Sequence, residues 1–327
     1  MKRAKSVSVL FTAIMAVLIL LPVGAAAQDV VMSREDIIAL TPEWEGERFP
    51  DGRPKVPDEI LERMKTVDIE EAWATVQRRY KLNFEGNWEH THLVPDGVLV
   101  GRALTATFVP IRPDIDKVLT EKGQADGHIG GRNSWPIDML QQGDVYVANA
   151  YGSVVWGPII GGNLGTAIYR NSGNGIVFDG TIRDLAQIQG IDGFYGYVRG
   201  WHPSWNQDNM LVEINHPTRI GNVCVMPGDV VLGRREGVCF IPPHLAEQVC
   251  EMSERTRLRD EFGFLRINQG VYTPGQIDQG WTPEMNKDHL QWLEENADNL
   301  SVAKEQVLQI IESLKNPPQR RGTRGPQ

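Results

Sequence analysis

Apolar residues recur with a helical period toward both ends of the chain and with a strand period in its middle. "SREDIIAL" predicts a short helix with Ser33 as its N-cap. "VPDEILERMKTV" opens with Pro57 at a first helical position, and "DIEEAWATVQRRY" puts Ile69, Trp73, Val76 and Tyr80 on one helical face. The rest of residues 28–67 is rich in Pro, Glu and Arg and reads as an extended arm. From Gly97 the pattern changes. "GVLVGRALTATFVPI" alternates and is rich in β-branched residues, so a strand is expected, followed by a Gly-rich loop, "EKGQADGHIGGRNSWP". "GDVYVANAYG" reads as a strand entered by a Gly–Asp turn, and "GDVVLGRREGVCFIPP" repeats that device at Gly228–Asp229. "GNGIVFDG", "GFYGYVRG" and "NMLVEINHPTRIGNVCVMP" supply further short strands.

Helical patterns are fewer in this region. "NLGTAIYRN" places Leu164, Ala167 and Ile168 at helical spacing, and "PPHLAEQVCEMSERTRL" is a longer amphipathic candidate. Thr282 and Pro283 form an N-cap and first-turn proline before "EMNKDHLQWLEEN", and "SVAKEQVLQIIESLK" sets Ala303, Val307, Ile310 and Leu314 on one face. The final "NPPQRRGTRGPQ", residues 317–327, lacks periodicity and is expected to be disordered. The fold class that follows is α/β, a β-rich middle with helices packed on it. No internal repeat is evident.

The 327 residues suffice for one large domain with extensions, or for two domains. Lys2, Arg3 and Lys5 precede an apolar run from Val7 to Val23 and then "GAAAQD". This is the layout of a signal peptide, residues 1–27, with cleavage expected after Ala27 and a periplasmic or secreted location. Losing those three basic residues takes the net charge from −9 to −12. Such a surface disfavours nucleic acid, because phosphate contacts need basic side chains. An exported chain can form disulfides. Yet Cys224 and Cys239 sit in apolar strand-like runs and read as buried small hydrophobes, with a Cys224–Cys239 bridge as the alternative and Cys250 as the odd thiol.

Candidate chemistry concentrates in two stretches. In "WGPIIGGNLGTAIYR", Gly161 and Gly162 stand just before a helix, where free N–H groups and the helix dipole favour an anion and where glycine lets a ligand approach the backbone; close packing is the plainer alternative. In "GNGIVFDGTIRD", Arg183 and Asp184 follow a tight turn at a strand end, and as neighbours they are expected to point in different directions. One suits a substrate carboxylate and the other a hard divalent cation; a solvated salt bridge is the plainer alternative. His90 and His92 in "EHTH" would share one side of a strand and could share a metal, although surface histidines are commoner. His202 in "GWHPSWN" sits between Trp201 and Trp205, and Arg132 lies in the loop "GGRN". No P-loop, dinucleotide fingerprint, nucleophile elbow or HExxH is present.

Taken in order, the GDV strand, Trp156–Gly157, Gly161–Gly162–Asn163–Leu164, "GIVFDGTIRD", "RGWHP" and "PGDVVLGRREGVCFIP" resemble the RraA-like family. That family includes class II 4-hydroxy-4-methyl-2-oxoglutarate aldolases and relatives of regulator of ribonuclease activity A. An older family name, dimethylmenaquinone methyltransferase, finds no methyl-donor site in this chain. The resemblance covers residues 68–250, leaving the arm at 28–67 and a helical extension at 251–316. It implies a β/β/α sandwich, a homotrimer or hexamer, and clefts between subunits.

The resemblance also implies a site. Family aldolases carry an Asp, twenty residues, then Arg–Asp, with Mg²⁺ or Mn²⁺ on the last Asp. By that match Asp184 is the metal ligand and Arg183 grips the α-keto acid. Gly161, Gly162, Asn163 and Leu164 form the helix-start cradle, and His202 is a further substrate contact. The first Asp, which orders water at the metal, falls at position 162, and this chain has glycine there. Asp179, Glu236 and His202 are the candidates to replace it. The reading is therefore an exported metal-dependent lyase, of class II aldolase or oxaloacetate-decarboxylase type, acting on a small oxo acid. The alternatives are a non-catalytic binding or regulatory protein on the same scaffold, or a different metal-assisted reaction in the same cleft.

Overall fold

The computed structural model describes residues 29–91 and 97–316. The signal-like segment, His92 and the 317–327 tail lie outside the described residues. The elements begin with three helices, α1 (Arg34–Leu40), α2 (Asp58–Met64) and α3 (Ile69–Val76). Strands β1 (Phe84–Glu85), β2 (Glu89–His90) and β3 (Leu99–Pro110) follow, then α4 (Pro113–Ala125), α5 (Trp135–Asp138) and β4 (Asp144–Asn149). Next come α6 (Gly162–Ser172), β5 (Ile176–Asp179), β6 (Thr181–Ile182), α7 (Leu185–Gln189), β7 (Gly196–Val198) and β8 (Gly200–Trp201). Strands β9 (Asn209–Ile214), β10 (Thr218–Ile220), β11 (Val223–Val225), β12 (Val230–Arg234) and β13 (Gly237–Ile241) complete the sheets. Helices α8 (Ala246–Asn268), α9 (Pro274–Ile277), α10 (Pro283–Asn296) and α11 (Lys304–Lys315) end the fold.

The main sheet runs β1-β13-β12-β3-β4-β5-β7-β2, with β9 also pairing β3. Its centre, β3–β4–β5–β7, is parallel, and the flanks are antiparallel. Strand alternation divides the core. Val145, Val147 and Val177 face the β10–β11 hairpin through Ile220, Val223 and Val225. Tyr146, Ala148, Ile176 and Phe178 face the helices, with Ile168 of α6 and Ile188 of α7. Hairpin, sheet and helices thus form the three layers of a β/β/α sandwich.

The arm carries the two helices expected within it, α1 and α2, and the stretch between them folds back through an antiparallel bridge of Arg48 and Pro54 instead of extending. Leu61 and Met64 join Val100, Leu232, Val249 and Cys250 in one core cluster. Arg53 is wholly buried and pairs with Asp51 at 2.7 Å and with Asp144 at 3.0 Å. Residue 250 falls inside α8, which packs on α2 and α3 and, farther along, on α10.

Several local expectations shift. Pro57 is the N-cap of α2, one residue before the helix. Trp73 is 45% exposed, and Ala72 takes the buried position on α3 instead. Leu314 is likewise 42% exposed, while Ile311 packs inward. The stretch read as a Gly-rich loop begins inside α4. Gly123 lies within that helix, and the Trp135 ring fills the space a Cβ would need. All three cysteines are free. Cys239 and Cys250 are buried, but Cys224 is exposed, since it sits on the outer face of the hairpin in a different sheet from Cys239.

Candidate functional site

The C-terminal ends of parallel strands are where α/β sheets present ligands. Here the chain leaving β4 returns through Pro158–Ile160 to start α6, and the chain leaving β5 runs through β6 to Arg183 and Asp184. The Arg183 N–H donates to Ile160 O at 3.1 Å, tying the two exits together. A cleft of about 380 Å³ opens between them, lined by Gly161, Asn163, Leu164, Arg183, Asp184 and Gln187, with Asn133, Trp205 and Asn206 across from them.

Arg183 and Asp184 do not diverge. Asp184 has left-handed backbone, φ +57°, and this turns its carboxylate back toward the preceding residue. Oδ2 lies 3.8 Å from Arg183 Nε and accepts the Gly162 N–H at 3.2 Å. A non-glycine residue in that conformation costs about 1 kcal/mol or more, a strain that persists where a site over-determines it. Both side chains are partly open to solvent, Arg183 41% and Asp184 33%. Arg183 has no hydrogen-bond acceptor for its guanidinium among the described residues, so it is available to an anion. The N–H groups of Asn163 and Leu164, in the first turn of α6, also lack acceptors among the described residues, as helix starts do. Together they form an anion cradle.

The glycine pair makes room for close packing, the plainer of its two expected uses. A Cβ on Gly161 would run into the Asp184 carboxylate and come within 3.0 Å of Arg183 Nε. A Cβ on Gly162 would overlap the Gln187 side chain, meeting its Cβ and Cδ at 2.9 Å. The glycines therefore admit the protein's own side chains, and Gly161 also lines the cleft. Gly162 itself is buried beneath Gln187 and does not line the cleft. Where a family aldolase would have its first Asp, this chain has a neutral carboxamide, which makes no hydrogen bond among the described residues. Its signal in the sequence was position: Gln187 follows Asp184 by three, one helical turn along the same face.

None of the three candidate replacement acids or bases lines the cleft. Asp179 is held by Arg199 Nε at 2.8 Å and by the Gly221 N–H at 3.0 Å. Glu236 is exposed in the β12–β13 turn. His202 Nδ1 contacts Ser204 Oγ at 2.9 Å and accepts the Ser204 N–H, so the ring braces its own loop. That loop carries Trp205 and Asn206 into the lining, and Trp205 packs edge-on against Trp156 at 5.1 Å. Asn206 Oδ1 is buried with no partner among the described residues. Arg132 points elsewhere, pairing with Asp116 and Leu211 O, while its neighbour Asn133 enters the cleft. His90 stacks edge-on with Tyr197 at 4.8 Å.

The donors present suit a hydrated hard cation and nothing more demanding. No group of three His, Cys, Asp or Glu side chains is assembled among the described residues. A single carboxylate is compatible with Mg²⁺, which keeps several waters and takes one or two protein carboxylates.

The sequence profile of the RraA-like family, described as Aldolase/RraA, matches residues 66–240. This chain belongs to that family. A Halalkalibacterium halodurans protein provisionally named a 4-hydroxy-4-methyl-2-oxoglutarate aldolase is 30% identical over 130 residues, 39% of this chain and 60% of that one. An uncharacterised protein of Methanocaldococcus jannaschii is 29% identical over 111 residues, 33% of this chain and 51% of that one. The chain thus spans between half and two thirds of the length of these relatives. Among solved structures, Streptomyces coelicolor RraAS2, described as an unusual member of the RNase ES inhibitor RraA family, aligns with TM-score 0.55 and 24% identity. It covers 65% of this chain and 100% of its own. A Pseudomonas syringae protein of uncharacterised function gives TM-score 0.56 at 18% identity, covering 71% and 98%. These two likenesses establish the RraA-like fold.

Proposed function

We propose that this RraA-like protein is an exported, divalent-metal-dependent carbon–carbon lyase of the oxaloacetate-decarboxylase type, acting on a small oxo acid. The observation that carries the reading is the convergence of Arg183, Asp184 and the free amides of Asn163 and Leu164 on one cleft. Arg183 and the amides would hold the α-carboxylate, a charge-assisted and directional contact. Asp184 would hold the cation, which supplies positive charge where negative charge develops on the keto oxygen.

The missing carboxylate at 162 separates two reactions. Retro-aldol cleavage needs a base to take the alcohol proton, and Gln187 cannot do so. Decarboxylation needs no proton removed. The bond to the departing carboxylate breaks, its electron pair moves toward the keto group, CO₂ leaves, and the carbon takes a proton from water in the open cleft. The residues present therefore favour decarboxylation. In the native state the mouth of the cleft, with Trp156 and Trp205 partly exposed, would be closed by further copies in a homotrimer or hexamer. Export rests on the signal-like residues 1–27, and a periplasmic or secreted site follows from it.

The neutral Gln187 also favours a second reading, a binding or regulatory protein on the same scaffold. Oxaloacetate decarboxylation by the full mature chain with Mg²⁺ or Mn²⁺, beside Asp184→Asn, distinguishes the two. Turnover abolished in Asp184→Asn supports the lyase. Equal turnover in both proteins refutes the role of Asp184. No turnover in the native protein, with pyruvate bound through Arg183 by calorimetry, moves the reading to the binding protein.

A further inference from the structure

The Gly–Asp turn occurs twice, and the two copies differ in one respect. Gly143 and Gly228 both have left-handed backbone, φ +82° and +88°. In each turn the aspartate accepts a backbone N–H from three residues earlier, Gln141 to Asp144 at 2.9 Å and Met226 to Asp229 at 2.8 Å. Both carboxylates are buried, Asp144 completely and Asp229 to within 5%. Asp144 has a buried cation, Arg53 from the arm. Asp229 has none: its side chain receives only the Met226 N–H among the described residues. A buried carboxylate without a cation is costly and drifts toward its neutral form. Burial accordingly pushes Asp229 up to about 7, with the Met226 N–H opposing.

Where an arginine would stand, Asp229 faces a cavity of about 270 Å³ beneath the arm. Its walls include Leu40, Pro42, Trp44, Tyr80, Met226 and Pro243, and among the described residues neither lysine nor arginine lines it. The remaining titratable groups facing it are accounted for. His244 is engaged by Glu43 at 3.0 Å and by the Tyr80 hydroxyl at 3.4 Å, and Glu43 also pairs with Arg79. Burial first, then the Asp229 charge, raises the Cys224 thiol on the same wall.

We propose that this cavity is a binding site for a small organic ammonium ion with an apolar body. The ammonium would sit on Asp229, as the Arg53 guanidinium sits on Asp144. The apolar body would lie against Trp44 and Tyr80, whose ring faces also attract cations. The volume suits a fragment rather than a drug-sized ligand. The site is separate from the Arg183–Asp184 cleft and does not depend on its chemistry.

Cys224 supplies the readout, because the other two cysteines are buried. The rate of Cys224 modification by methyl methanethiosulfonate is measured on the full chain at pH 8, where Asp229 is ionised. Cyclohexylamine and its neutral counterpart cyclohexanol are the probes. The amine is expected to protect Cys224 at millimolar concentration, about tenfold better than the alcohol, roughly the value of one charge-assisted contact. Asp229→Asn keeps the turn's acceptor and is expected to reduce the amine to the level of the alcohol. Equal protection by amine and alcohol in the native protein, or none by either, overturns the proposal even if Asp229→Asn fails to fold. Undiminished amine protection in a folded Asp229→Asn overturns it as well.

Discussion

Asp184 shows how one backbone angle creates a site. With extended backbone its carboxylate would leave the cleft that Arg183 enters; with φ +57° the two side chains meet and Oδ2 caps the Gly162 amide. The sequence carried the identities of both residues, but not that angle. The Gly162–Gln187 pair makes a sharper prediction. Gly162→Asp alone is expected to destabilise the protein by about 1–3 kcal/mol through overpacking, without gaining aldolase activity. Adding Gln187→Gly removes Oε1, Cδ and Cβ, the three atoms that the new side chain would meet. The double variant is then expected to cleave 4-hydroxy-4-methyl-2-oxoglutarate on the order of 10²-fold faster than the native chain, the effect of restoring one acid–base group. Both are checked by urea unfolding and by release of pyruvate. A double variant no faster than Gly162→Asp alone would remove Gln187 from the account.

Among elements, α6 and α7 build the site because each starts at the end of a strand. Helix α6 follows the β4 exit and offers bare amides. The start of α7 holds Asp184 and then Gln187 one turn later. Their sequence signals were unequal. Leu164, Ala167 and Ile168 made α6 legible, whereas α7 has only five residues and too little periodicity to register. Two local caps were legible, while those at Asp68 and Thr273 went unread. Ser33 accepts the Asp36 N–H at 3.1 Å, and Thr282 accepts the Met285 N–H at 3.3 Å. Thr282→Ala should therefore lower stability by about 1 kcal/mol, seen as a small fall in Tm. Pyruvate binding in the cleft should not change, because α10 packs on α8 and α11 rather than on α6 or α7.

For the molecule as a whole, the arm and the start of α8 are structural partners of the sheet, and α10 packs on α8 and α11. Buried Arg53 ties the arm to β4, and Arg63 ties α2 to Glu254 of α8 at 2.8 Å. The C-terminal helices close over Phe262, Trp292, Val307 and Ile311. His289 lies among Phe262, Trp281 and Trp292, with Nε2 buried and unpaired among the described residues. Burial first, then the Arg259 charge, depresses it to about 4. The folded state therefore binds this proton less readily than the unfolded chain does. The stability contributed by the neutral ring is fully present above the ordinary histidine range and is lost as pH falls through it toward 4. The loss amounts to about 3 kcal/mol, from the depression of the pKa. His289→Phe should flatten that acid limb in thermal unfolding between pH 7 and pH 4.5. An unchanged slope would show that His289 does not carry it.

The sequence by itself determined what depends on near neighbours: the alternating strands of the sheet, the Ser33 and Thr282 caps, the paired Gly–Asp turns, and the Arg183–Asp184 motif with its family. It also exposed the absent acid at Gly162. Tertiary structure decided what depends on distant contacts. Asp179 is consumed by Arg199, His202 braces its own loop, and the arm folds onto β4 because Arg53 needs Asp144. Periodicity reports which face of an element is apolar, but not which other element will meet it. For that reason Gln187, rather than any of the acids named from sequence, occupies the place that Gly162 leaves open.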